Sequence, residues 1–380
     1  MHYSRYLTGI LEKIRKSVLL LGPRQTGKST LIETLNPSLT INLADEQTFV
    51  EYLRDPGLLR AAIGSHKKVF IDEIQRIPSL LNTVQALIDA DRKLQFLLTG
   101  SSARKLRRGQ ANLLPGRTLN FELGPLSLLE LQSDFDLAKA VTIGLLPGIY
   151  AEPDEGIAKK TLRSYSVTYL REEIQAEALT RNLSGFSRFF SVAVSRSGDI
   201  LDFSKISKEA SIERMSARRY YDILLDTLIA SEIPPFSKSA RRRLVQHPKF
   251  YLFDVGVLNG FLDNFSASAD RMGMLLEHLV QQLILSGAKA KDETVRLSTY
   301  RTEASAEVDF ILERGTEVFA IEVKASKKFH PTDLRGLKSF AKFYRKKHTA
   351  ILIYQGENRL REDAVHILPL TDAMKILGYA

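Results

Sequence analysis

The sequence predicts an α/β protein in three parts. A parallel sheet with flanking helices comes first, then a helical middle ending in a β-ribbon, then a second compact α/β unit. Three observations carry this. Short apolar runs, SVLLLG, TINLAD, KKVFIDE, LQFLLTGS and TLNFELG, alternate with helical patterns from Met1 to about Ala151, the pattern of a parallel sheet covered by helices. The chain then turns helical and charged, and closes on a basic stretch, SEIPPFSKSARRRLVQHPKFYLFD. From about residue 266 an apolar helix, three strands, a helix and a strand follow in the order α-β-β-β-α-β. The expected boundaries are 1–151 for the first unit, 152–185 for a helical connector or lid, 186–265 for the middle unit and 266–380 for the last.

Composition narrows the chemistry. The 380 residues contain no cysteine, which excludes disulfides, zinc–thiolate sites and thiol nucleophiles. No apolar run approaches the ~20 residues that span a bilayer. The N-terminal MHYSRYLTGILEKIRKS has no signal-peptide pattern, so a cytoplasmic protein with no membrane partner is expected. Lysine and arginine number 54 against 44 acidic residues, a net charge of +10. Such an excess points to a polyanionic partner or, more simply, to solubility.

The first unit carries a phosphate-binding pattern. Gly22, Pro23, Arg24, Gln25, Thr26, Gly27, Lys28 and Ser29, followed by Thr30, fit G-x-x-x-x-G-K-[ST]. A strand-like run, Ser17–Leu21, precedes it and a helical pattern follows, which is the required setting. Glycines let the backbone turn so that its N–H groups surround phosphate oxygens, and the helix start adds a positive dipole end. Lys28 would reach the β- and γ-phosphates of ATP, and the Ser29 hydroxyl would hold Mg²⁺. In KKVFIDEIQR, Asp72 and Glu73 end an apolar strand, at the sheet edge where ligands gather in α/β folds. Asp72 is the expected magnesium partner and Glu73 the group that polarises the attacking water. Thr99 or Ser101, ending the strand LQFLLTGSS, are candidates to contact the γ-phosphate or to orient the water.

Together GPRQTGKST, VFIDEIQR, LLTGSS and LPGRTLNFELGPLSLLE resemble the AAA+ ATPases of bacteria and archaea that carry an additional C-terminal domain of unknown function. The resemblance covers essentially the whole chain. It implies a sensor strand after the acidic pair and an arginine that reaches a neighbour's nucleotide. Arg117 is the candidate for that finger, with Arg104 and Arg107 as rivals. A finger acting in trans implies a ring, most often a hexamer.

The middle unit reads as helix, turn, helix and ribbon, a winged-helix pattern. Ser216 is the expected N-cap of the second helix, with Tyr220, Ile223, Leu224 and Leu228 as its core stripe. Arg218 and Arg219 face elsewhere, and the ribbon carries Lys238, Arg241, Arg242, Arg243 and Lys249. These suit phosphate contacts on DNA; modules of this kind also serve protein contacts alone.

In the last unit Asp309 stands on one strand and Glu322-x-Lys324 on the next. Alternation along a strand puts Glu322 and Lys324 on one side. Two carboxylates and a lysine meeting on a sheet can make a Mg²⁺ site; a plain ion-pair cluster has the same sequence. Glu277 lies in the apolar stripe of the preceding helix with Met274, Val280 and Ile284, where a carboxylate needs a partner, and a metal at the sheet would provide one. This constellation resembles the PD-(D/E)XK nuclease superfamily. Three functions remain open: an ATP-driven motor on duplex or branched DNA, an ATP-gated DNA nuclease, and an ATP-dependent switch acting on other proteins.

Overall fold

The computed structural model describes residues 3–101, 114, 116–176, 182–236, 247–303 and 305–380. The first sheet has five parallel strands: β1 (Ser17–Leu21), β2 (Leu39–Asn42), β3 (Lys68–Asp72), β4 (Gln95–Gly100) and β5 (Thr118–Glu122), in the order β2-β3-β4-β1-β5. β1 is buried along its whole length and β3 in its middle three residues, because helices cover both faces of a parallel sheet. The order places β1 between β4 and β5, and β3 beside β4, so the C-terminal ends of β1, β3 and β4 adjoin.

The middle of the chain begins with the long helix Glu155–Ala176. Helices Leu183–Ser195, Phe203–Glu209 and Arg214–Asp226 follow, then the antiparallel pair β6 (Ala230–Ile233) and β7 (Lys249–Leu252). Phe186, Phe189, Tyr220 and Leu224 fill this core, with Phe186 edge-on to Tyr220 at 5.1 Å. The third helix starts at Arg214 with Glu213 as its N-cap. Ser216 therefore lies inside the first turn and does not cap, a correction to the sequence reading. Tyr220, Ile223 and Leu224 are buried as the spacing predicts, whereas Leu228 packs, partly buried, on the core of the first sheet.

The C-terminal unit is a six-stranded mixed sheet. Its strands are β8 (Arg296–Arg301), β9 (Glu307–Arg314), β10 (Glu317–Val323), β11 (Thr349–Tyr354), β12 (Leu360–Glu362) and β13 (Val365–Pro369), ordered β12-β13-β11-β10-β9-β8. The expected α-β-β-β-α-β order is present, with β12, β13 and the helix Leu370–Leu377 added after it. The buried helix Ala269–Ala290 shares one apolar core with this sheet through Leu276, Phe310 and Ile321, and with Leu131 and Tyr150 of the first unit. β8 is extended outward by the segment after β6: Thr299 N–H donates to the Pro234 carbonyl at 2.9 Å, and Phe236 N–H to the Thr299 carbonyl at 2.7 Å. No helix among the described residues is long and apolar enough to cross a membrane.

Candidate functional site

The loop between β1 and the helix Lys28–Thr34 is built from backbone. Gly27 takes φ 83°, in the left-handed region that glycine tolerates best. A Cβ at Gly22 would overlap the Leu123 carbonyl, so glycine alone lets the loop leave β1 this close to the neighbouring chain. Thr26 Oγ1 donates to the Pro23 carbonyl at 2.9 Å. The Lys28 ammonium donates to the carbonyls of Gly22 and Pro23, both at 2.9 Å. It is thus buried inside the loop.

Asp72 joins this loop to the sheet. Ser29 Oγ donates to Asp72 Oδ2 at 2.8 Å, and Thr99 Oγ1 donates to the other oxygen. Parallel pairing of Ile71 with Leu98 sets these strand ends side by side. Thr99 also receives the Glu73 N–H at 3.3 Å. Glu73 itself turns left-handed, φ 56°, which swings its side chain from the strand line toward Gln75 and Ser101. Gln75 Nε2 donates to the Glu73 carboxylate and, at 2.9 Å, to Ser101 Oγ. The oxygen donors of Ser29 and Asp72 beside a buried ammonium fit a hard divalent ion with phosphate.

Sequence reasoning missed two residues here. Gln75 is buried and steadies the glutamate. Arg5 reaches across from the N-terminus: it donates to the Thr26 carbonyl and, at 2.9 Å, to the Gly124 carbonyl, while Nε meets Glu130 Oε1 at 2.8 Å. Both side chains of this pair are almost fully buried. Nothing in the spacing linked residue 5 to residue 130; in the fold Glu130 also closes a local capping box with Ser127. Beside the loop opens a cavity of about 670 Å³, walled by Arg5, Gln25, Gly27, Thr30, Pro147 and Ile149. Arg24 and Gln25 also face a smaller one toward Thr161 and Tyr165.

Arg117 lies just before β5. Because Ser17 pairs with Thr118, it stands at the opposite end of β1 from the loop. It makes two hydrogen bonds to Asp89, at 2.7 and 2.9 Å, on the surface. It cannot reach its own loop. Arg104 and Arg107 lie outside the described residues, as do Lys238, Arg241, Arg242 and Arg243. Arg218 and Arg219 are exposed, each beside an aromatic ring, Phe203 and Tyr220.

The second predicted cluster does come together. Lys324 Nζ meets Glu322 Oε1 at 2.6 Å, and the Val323 N–H donates to Asp309 Oδ2 at 2.8 Å. Two expectations need correction. The partner of Glu277 is Lys249, 3.0 Å away, with the Tyr251 hydroxyl at 2.5 Å; no metal is needed to satisfy it. Lys249, expected on a solvent-facing wing, is buried and also meets Glu307 at 3.0 Å and Asp309 at 3.9 Å. Burial works against the Lys249 charge, but Glu277, Asp309 and Glu307 outweigh it and hold its pKa above the usual lysine value. Burial, then the charges of Glu277 and Glu322, pushes Asp309 well above the carboxylate range. Burial lifts Glu322 to about 7 against the opposing pull of Lys324. Among the described residues, no three His, Asp or Glu side chains are arranged to hold a metal ion.

Residues 14–132 match the family model of the AAA domain (AAA_14). Residues 134–268 and 272–373 match two models described as domains of unknown function, DUF8612 and DUF4143. An uncharacterized protein of Mycobacterium tuberculosis is 26% identical over 352 residues, 90% of this chain and 77% of that one. An uncharacterized protein of Methanocaldococcus jannaschii is 23% identical over 330 residues, 78% and 72% respectively. Among solved structures, a STAND (signal transduction ATPase with numerous domains) protein with a tetratricopeptide repeat sensor from Pyrococcus horikoshii is 14% identical. It covers 74% of this chain and 46% of its own, with a TM-score of 0.24.

Proposed function

We propose, with an AAA-type P-loop domain over residues 14–132 as the premise, that the chain binds ATP with Mg²⁺ and couples its hydrolysis to work on DNA. The observation that carries the nucleotide reading is the Ser29–Asp72 contact, which joins the loop to the acidic strand end at 2.8 Å. Lys28 and the loop amides receive the phosphates, with Gly22, Pro23, Arg24, Gln25, Thr26, Gly27 and Thr30 forming the cradle. The cavity walled by Arg5 and Pro147 is large enough for a nucleoside. Bound magnesium, held by Ser29 and Asp72, supplies charge neutralisation at the phosphate oxygens. Glu73 orients and deprotonates the attacking water, and Thr99 and Ser101 hold the strand end around it.

The DNA reading rests on less: the net charge of +10 and exposed Arg218 and Arg219 on the third helix before a ribbon. We take this module as a winged helix, with Lys238, Arg241, Arg242 and Arg243 in its wing. Arg117, out of reach of its own loop, suits a finger offered to a neighbouring subunit in a ring. The C-terminal unit is taken as PD-(D/E)XK-like. A nuclease is the second reading, favoured by the convergence of Asp309, Glu322 and Lys324.

ATP turnover, measured with and without duplex DNA at low salt, tests both parts. DNA is expected to stimulate turnover. Lys28→Ala is expected to lose nucleotide binding, and Glu73→Gln to keep it while turnover falls roughly 100-fold or more. Full turnover in Lys28→Ala would overturn the site, and indifference to DNA would leave a protein-directed switch.

A further inference from the structure

The acidic centre of the second sheet already contains a cation, and it comes from another part of the chain. Lys249 Nζ stands 3.0 Å from Glu277, 3.0 Å from Glu307 and 3.9 Å from Asp309. Glu277 is on the buried helix Ala269–Ala290, whereas Glu307 and Asp309 are two residues apart on β9 and so share a face. Glu322, on β10, completes the group; its Oε1 is taken by Lys324, but its buried Oε2 has no hydrogen-bond partner. Four carboxylates here face three bases, Lys249, Lys324 and Arg301, the last 3.6 Å from Glu307. The donors are all oxygen, the set that favours a hard divalent ion. An ammonium among the same oxygens answers the same charge.

Delivery of this lysine is rigid. β7 pairs with β6, Lys249 opposite Ile233, and the segment after β6 is hydrogen-bonded to β8 through Thr299. Phe236 anchors that segment, edge-on to Phe340 at 5.4 Å. The ribbon therefore cannot drift from the sheet while these bonds hold.

We propose that Lys249 is the resident cation of this centre: it excludes divalent metal, and the centre becomes a magnesium- or manganese-binding site only when its ammonium is removed or drawn out. Glu277, Glu307 and Asp309, the carboxylates that now surround the Lys249 ammonium, would then be left to the ion.

Mn²⁺ alone, without nucleotide, titrated into the full chain and followed by the electron paramagnetic resonance of the free ion, tests this. The result does not depend on the P-loop reading. Wild type and Lys249→Arg are expected to take up no ion that Asp309→Asn removes. Lys249→Met is expected to bind one Mn²⁺ per chain that wild type does not take up even at about tenfold higher free Mn²⁺, and to lose it in the double variant with Asp309→Asn. If Lys249→Met is unfolded in chelator, millimolar Mn²⁺ should restore a cooperative melt. Wild-type binding that Asp309→Asn abolishes would overturn the proposal. So would a folded Lys249→Met that takes no ion, or an unfolded one that Mn²⁺ does not rescue.

Discussion

Glu322 is a carboxyl group whose folded environment favours its proton. Its pKa rises to about 7 through burial, so the folded state binds more protons than the unfolded one between about 4.5 and 7. Stability from this group is thus fully present below the unfolded pKa and is lost as pH rises through 7. Glu322→Gln, neutral at every pH, should lose that dependence. Unfolding free energies of variant and wild type are expected to diverge in the variant's favour from pH 5 to pH 8, by on the order of 1–3 kcal/mol. A constant difference across that range would contradict it. Residues with local signatures were readable from the sequence: Gly22, Gly27, Lys28 and Ser29 are fixed by one short spacing, and Asp72 with Glu73 by their place at a strand end. Lys249 was not, because its three acidic partners lie 28 to 60 residues downstream and only the folded ribbon brings them near.

At the level of elements, the nucleotide loop owes its shape to more than its own glycines. The Arg5 guanidinium ties the Thr26, Gly124 and Glu130 groups together under the loop. Removing one member of a buried pair leaves the other charge uncompensated, a cost of roughly 3–5 kcal/mol. Arg5→Met is therefore expected to lower the melting temperature and to weaken nucleotide binding, and Arg5→Met with Glu130→Leu to regain part of the stability without the affinity. Equal stability of the single and double variants would show that the pair carries no such load. Strands of the first sheet were legible because each is an apolar run bounded by turn residues. β12 and β13 were not: β12 is three residues long with an exposed pattern, too short for alternation to register.

Across the whole molecule, the three parts meet at a buried carboxylate. Asp254 accepts from Leu145 N–H at 2.8 Å, from Val257 N–H at 3.0 Å and from Gln282 Nε2 at 2.7 Å. It thereby caps the helix Val255–Leu262 while touching both the first unit and the helix Ala269–Ala290. Gly256 packs so closely that a Cβ would overlap the Ile143 carbonyl. Gly256→Ala is expected to part the first unit from the rest, giving protease cleavage near residue 151 and a melt split into two transitions. A single unshifted melt would refute that. Sequence patterns marked the three parts but not this joint, since Asp254 and Gly256 meet Leu145 and Ile143 only across more than 100 residues.

The chain segment laid along β8 has a further effect. A sheet whose outermost strand shows unpaired amides and carbonyls invites a strand from another molecule to dock there, the first step toward fibrils and clumping. Thr299 spends both its backbone groups on Pro234 and Phe236, and a proline in the covering strand offers no donor of its own. At the far side β12 is too brief to template anything. The same stitching that fixes the ribbon thus also serves as a built-in guard against self-polymerisation.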